Sequence, residues 1–241
     1  MAVVFGLPIP DGYEIPFILT LIILLVKLIL CIFLSYKVAK KRKEENVVAI
    51  QFLSGVLFLM LVLFLSRILY MIFDFFLTKF VQVTYPIFPN IWYWKTASLI
   101  SAYGIGVLLL IIDRRILQFK FKGIFAIIVF AAATFQFFYP VSTTDDFQFV
   151  STIGVVGSMA MLVIPILFFW IGAKTPGLRK IAFSVAFGAI IYAVGGSLVS
   201  ATFINIFIGV GLTQDMVYAI SIGMKAVGLV LITYGATHFS I

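Results

Sequence analysis

Residues 215–235 read DMVYAISIGMKAVGLVLITYG, an apolar run interrupted near its middle by one charge, Lys225. Wound as a helix at about 1.5 Å per residue, the run places the ammonium about 15 Å from its start, near the centre of a hydrocarbon layer about 30 Å thick. A charge at that depth costs about 2.5 to 3.5 kcal/mol on insertion scales, so such residues usually face a bundle interior and mark a ligand, ion or proton path. The run sets the class of protein, and the lysine inside it poses the question of function.

Similar runs recur along the chain. Of its 241 residues 63% are hydrophobic and 11% charged, against roughly 25% charged in soluble domains. The pattern predicts an all-α, polytopic protein of the cell membrane. Its single domain has seven transmembrane helices at approximately 15–38, 47–74, 92–112, 123–139, 150–172, 181–207 and 216–237. Trp92, Tyr93 and Trp94 open the third span as an interfacial aromatic belt would.

Charge gives an independent reading of topology. Twelve basic residues fall in three alternate connections: Lys37, Lys40, Lys41, Arg42 and Lys43, then Arg114, Arg115, Lys120 and Lys122, then Lys174, Arg179 and Lys180. The other segments carry Asp11, Glu14, Asp145, Asp146 and Asp215, with Lys79 and Lys95. The positive-inside rule then puts the N-terminus outside and the C-terminus in the cytoplasm. Because the net charge of +8 is dispersed as topology signals, no nucleic-acid partner is expected. Residues 1–16 lack a basic leader region, so the first span is expected to be retained. Cys31 and His238 are the only residues of their kinds, which provides neither a disulfide framework nor a metal set.

Small residues suggest which helices approach closely. The sixth span has Ala189, Ala193, Ser197 and Ala201 at four-residue spacing, the third has Ser98, Ala102 and Gly106, and the fifth has Gly154 and Ser158. Spans three, five, six and seven are therefore expected to form the tight centre, with the Leu-, Ile- and Phe-rich first two facing lipid. Pro165 and Gly195-Gly196 are candidate hinges. Two stretches, AIQFLSGVLF from Ala49 and AFSVAFGAII from Ala182, align on Gly55 and Gly188, and GVLLLIID from Gly106 resembles GLVLITYG from Gly228. A 3+1+3 parallel repeat would follow.

In architecture the chain resembles the broad seven-helix grouping of transporters, opsins and receptors, including sugar-efflux carriers of three-plus-one-plus-three design, although their proline-glutamine loop motif is absent. Lys225 resembles the retinal-attachment lysine of opsins. A protonated Schiff base needs a carboxylate counter-ion, and no acid lies between Trp92 and Ile112 or one turn before Lys225, leaving Asp74 as the substitute. No cofactor is expected on that ground. Asp113-Arg114-Arg115 is similar to the acidic-arginine-aromatic signature of G-protein-coupled receptors, with arginine in place of the aromatic; it is a candidate signalling element, or a charge cluster that fixes topology.

Besides Lys225, the spans contain Lys27, Arg67, Asp74 and Lys95, at the midplane or in the outer half. Arg67 and Asp74, seven residues apart, share a helix face. Four cations facing one carboxylate cannot all be paired. The excess points to a pocket, open to the outer side, for a small anionic or amphipathic ligand. Lys225 would form its floor and Asp74 would orient Arg67; Lys27, Lys95, Ser221 and Trp94 complete the candidate ligand-binding set. Snorkelling to an interface is the alternative for Lys27, Arg67 and Lys95. No catalytic motif appears, so enzymatic activity is not expected. The leading expectation is a sensor or receptor-like protein that signals through a separate cytoplasmic or membrane partner; the competing one is a secondary transporter of a similar solute.

Overall fold

The computed structural model describes residues 2–42, 47–199 and 201–239, and within these the side chains of residues 2, 47–49, 155–160, 201, 202 and 205 are left aside. Lys43, and the side chains of Ser158 and Ala201, thus lie outside the described residues. The chain is helical almost throughout: α1 (Glu14–Lys41), α2 (Val47–Met71), α3 (Asn90–Ile111), α4 (Ile124–Phe138), α5 (Thr144–Met159), α6 (Val163–Lys174), α7 (Arg179–Ser197), α8 (Ala201–Gly209) and α9 (Gln214–His238). A two-stranded antiparallel hairpin, β1 (Ala2–Val4) and β2 (Leu7–Ile9), precedes them. Five helical stretches are long and apolar enough to cross a membrane: Glu14–Lys41, Ile50–Leu77, Asn90–Ile116, Pro176–Ser197 and Gln214–His238; Ile124–Phe138 and Val163–Lys174 are shorter.

Two expected spans are divided. The stretch 150–172 is covered by α5 and α6, with a 3-10 turn at Ala160–Leu162 between them. The turn directly precedes Pro165, whose ring displaces the carbonyl four residues back and which has no N–H to give it, so the ladder tightens there. The helix expected over 181–207 ends at Ser197 and resumes as α8. What reads as a polar loop before the fifth span is a helix start: Ser142 N and Thr143 N donate to Asp146 Oδ2 at 3.0 and 2.9 Å, and Asp146 N donates to Thr143 Oγ1. Thr143 and Asp146 form a reciprocal capping box. These bonds hold the Asp146 carboxyl below the usual carboxylate range.

On α1 the faces separate at helical spacing. Ile18, Ile22, Leu25, Ile29 and Ile32 are exposed, while Phe17, Thr20, Leu24, Lys27, Cys31, Leu34 and Val38 are buried. The buried side alternates three- and four-residue steps, as an inter-helix seam requires. Neighbours in the bundle run α4, α3, α2, α1, α9, α7, α6, with α5 beside α4. Phe52 of α2, Phe168 of α6 and Phe239 meet with ring centroids 5.0 to 6.1 Å apart, so α6 also reaches α2. At that end Lys41 Nζ donates to Phe239 O; we call it the basic end. The opposite, hairpin end is closed by Ile9, Phe17 and Phe75, with Tyr13 stacked on Phe80 at 4.0 Å.

The core departs from the expectation that the first two helices face lipid, since α1 supplies Ile23, Cys31, Leu34 and Val38 to the main cluster. The second helix, rich in Leu and Phe, supplies Phe52, Leu53, Val56, Leu59, Met60, Val62 and Leu63 to the main cluster. Lipid tails and protein interiors are equally apolar, so such side chains suit either side and composition does not separate them.

Close approach instead occurs through glycines spaced by seven. A Cβ on Gly188 of α7 would lie 2.8 Å from Gly228 O of α9, and one on Gly228 would lie 2.7 Å from Gly188 O. Gly195 and Gly235 repeat the arrangement along the same interface. Ser221 Oγ donates to Gly195 O at 2.6 Å and Ser184 Oγ to Leu231 O at 2.9 Å across it. Ala193 and Ser197, expected in this contact, are exposed.

Candidate functional site

Both α2 and α3 end in a π-helical turn built around an acid, Asp74 in Ile72–Leu77 and Asp113 in Ile112–Ile116. The backbone pattern is the same in each. Thr78 N donates to Phe73 O and Phe80 N to Asp74 O, matching Leu117 N to Ile112 O and Phe119 N to Asp113 O. Residues 79 and 80, like 118 and 119, then have positive φ.

The two carboxylates are used differently. Asp113 is buried and accepts Phe121 N at 3.0 Å and Gly123 N at 2.6 Å, tying down the turn into α4. Among the described residues the Asp74 carboxylate accepts no backbone N–H; at the matching turn the Thr78 hydroxyl donates to Phe73 O instead. Replacing Asp113 by Asn is expected to lower stability by about 1.5–3 kcal/mol, the scale of hydrogen bonds to a charged group. Faster amide exchange at Phe121 and Gly123 is the matching local readout.

Asp74 turns toward Arg67, whose NH1 lies 3.9 Å from Asp74 Oδ2 and whose NH2 donates to Thr20 Oγ1 of α1 at 2.8 Å. Lys27, on the same face of α1 and buried, donates to Leu63 O at 2.9 Å. Lys225 of α9 is half-buried and lies within coulombic reach of Arg67, Asp74 and Lys27. Among the described residues, no acceptor lies within hydrogen-bonding distance of its ammonium and no carboxylate forms an ion pair with it. Three cations, Lys27, Arg67 and Lys225, thus lie within coulombic reach of one another, and Arg67 and Lys225 also of the Asp74 carboxylate.

Phenols that the sequence does not single out surround this group. Tyr192 of α7 lies within coulombic reach of Arg67, Tyr218 of α9 within reach of Asp74 and Arg67, and Tyr70 of α2 within reach of both of these charges while it hydrogen-bonds Ser98. Tyr85, in the loop above, is pushed up to about 12 by burial and by Asp74, so its phenol stays neutral. Tyrosine in an apolar run reads as an interface residue, and only tertiary packing reveals that these tyrosines converge.

Tyr70 also walls a separate cavity of about 290 Å³ between α3, α4 and α5, lined among others by Trp94, Ser98, Ser101, Gln136 and Ser151. Its polar lining is internally bonded: Ser98 Oγ donates to Gln136 Oε1 at 2.7 Å, and Gln136 Nε2 to Val150 O at 3.2 Å. Of the expected ligand-binding residues, then, Lys225, Arg67, Asp74 and Lys27 come together, and Trp94 lines the neighbouring cavity. Lys95 lies apart, donating to Tyr139 O at 2.6 Å beside Trp92. Ser221 belongs to the α7–α9 seam through its bond to Gly195. Arg114 and Arg115 are exposed at the basic end.

Among the described residues no three His, Cys, Asp or Glu side chains stand where they could share a metal ion. Comparison with protein families, with curated proteins and with solved structures found no match to this chain.

Proposed function

We propose that the chain crosses the cell membrane seven times, N-terminus outside, and is a receptor-like protein that takes a small anionic amphipathic ligand between α1, α2, α7 and α9. The carrying observation is the charge balance at Lys225: a half-buried ammonium without a bonded partner among the described residues, beside two further cations and one carboxylate. An anionic head group would offset that excess. Seven crossings are supported by α5 and α6, which continue one another across the turn at Ala160–Leu162, and by the grouping of basic residues at the end where Lys41 meets Phe239. A signal would leave through a separate partner at that end.

A second reading, a secondary transporter of a similar solute, is favoured by the paired glycine contacts. Gly55 packs on Leu108 and Ile111 of α3, and Gly188 on Gly228, Leu231 and Ile232 of α9; these are the stretches that align in a 3+1+3 repeat.

An alkyl sulfonate, anionic at all relevant pH, tests both readings in nanodiscs and in proteoliposomes. Decanesulfonate is expected to bind at least roughly tenfold more tightly than decanol, a difference of about 1.4 kcal/mol. Lys225→Met is expected to remove that preference. Equal binding of the two probes would overturn the pocket. Accumulation of the sulfonate in proteoliposomes, lost in Lys225→Met, would select the transporter.

A further inference from the structure

A second groove lies at the opposite end of the bundle, where α2 begins and α3 finishes. It measures about 320 Å³ and is lined by Gln51, Ser54, Phe58, Leu110, Arg114 and Arg115, with Gly55 and Ile111 at its base. Its polarity is graded along the helix axes. Phe58 is seven residues beyond Gln51, about 10 Å deeper at 1.5 Å per residue, and Leu110 is about one turn deeper than Arg114. Polar groups therefore sit at the mouth and apolar ones within. The floor is open because position 55 is glycine: a Cβ there would already stand 2.7 Å from Ile111 Cδ1.

Two features of the mouth are unanswered among the described residues. Arg114 and Arg115 are exposed, and among the described residues neither has a hydrogen-bond or ion-pair partner. Among the described residues Gln51 Oε1, which is buried, has no hydrogen-bond partner. A buried acceptor left unmet is costly, so a donor at this position is favoured.

We propose that this groove is a binding site for one anionic phospholipid with a hydroxyl-bearing head group, of the phosphatidylglycerol class, drawn from the leaflet that faces the basic end. The phosphate sits between Arg114 and Arg115, a head-group hydroxyl donates to Gln51 Oε1, and an acyl chain lies along Phe58 and Leu110. Guanidinium pairs suit this task because they meet phosphate oxygens through several donors at once. The site stands independently of any ligand at Lys225.

The probe is a phospholipid brominated on its acyl chains, read through a tryptophan placed in the groove by Phe58→Trp. Quenching is taken relative to the parent protein, whose tryptophans are Trp92, Trp94 and Trp170. Brominated phosphatidylglycerol is expected to occupy the site at least roughly tenfold better than brominated phosphatidylcholine, and Arg114→Gln with Arg115→Gln should bring the two together. Phosphatidic acid, which keeps the phosphate and lacks the hydroxyl, should fall between them; parity with phosphatidylglycerol would remove Gln51 from the site. Leu110→Trp, filling the groove from its exposed side, should lower occupancy with the arginines intact. Folding of each variant is checked by protection of the buried thiol of Cys31. Equal quenching by both brominated lipids in the Phe58→Trp protein, or displacement by inorganic phosphate alone, would overturn the proposal.

Discussion

Gly228→Val is expected to prevent α7 and α9 from closing on one another and to cost roughly 3–5 kcal/mol. Overpacking alone typically costs about 1–3 kcal/mol where side chains can shift. Here the obstacles are backbone atoms: a Cβ on Gly228 would stand 2.7 Å from both Gly188 O and Tyr192 N. No rotamer change relieves such contacts, so the helices must separate. Separation also loosens Ser221 from Gly195 O and Ser184 from Leu231 O, inter-helix bonds worth about 0.6 kcal/mol each on average in membrane proteins. Gly223→Ala is the control, since a Cβ at Gly223 meets nothing within 4 Å; it is expected to leave stability within about 1 kcal/mol of the parent. Both are measured by heating in detergent with a fluorogenic thiol dye, because Cys31 is buried until the bundle opens. Equal midpoints for the two variants would show that the seam does not hold the helices together.

The charged group gives a prediction in which two neighbouring substitutions have opposite signs. Lys225→Met removes one of three crowded cations and is expected to raise the unfolding midpoint, since a charge at such depth costs about 2.5–3.5 kcal/mol to insert. Asp74→Asn removes the carboxylate that Arg67 and Lys225 share and leaves those two cations uncompensated. Breaking a buried pair costs about 3–5 kcal/mol, and with Arg67 and Asp74 side chains 22% and 23% exposed the loss here is expected at or below the low end of that range. A stabilised Lys225→Met protein that no longer favours decanesulfonate would show that stability is sacrificed for binding at this position. A Lys225→Met variant less stable than the parent would mean that the ammonium is already accommodated by the fold.

Much of the scaffold is legible in the sequence because apolar length and flanking charge are local properties. The stretches at Glu14–Lys41, Ile50–Leu77, Asn90–Ile116 and Gln214–His238 fall within a few residues of the expected spans, and Lys225 stands out by its depth. What escapes is whatever depends on a neighbour. Thr143 and Asp146 read as loop residues until their reciprocal bonds are seen. Four-residue spacing draws attention to Ala189, Ala193 and Ser197, whereas the contact follows the seven-residue step from Gly188 to Gly195 and from Gly228 to Gly235. A charge balance counts acids and bases, yet Lys27 and Lys95 are met by the carbonyls of Leu63 and Tyr139, which every residue has and no composition reveals. The three phenols beside Arg67 were illegible for the same reason.

The twin acidic turns have a further consequence. In one, the carboxylate is the rivet that fastens the following segment, so the shape of that segment depends on Asp113. In the other a threonine hydroxyl closes the turn back onto Phe73 O, and the Asp74 side chain is turned to Arg67 instead of to the backbone above it. One architecture thus yields a joint that ties backbone at the basic end and, at the hairpin end, one that presents its carboxylate to the side chain of Arg67.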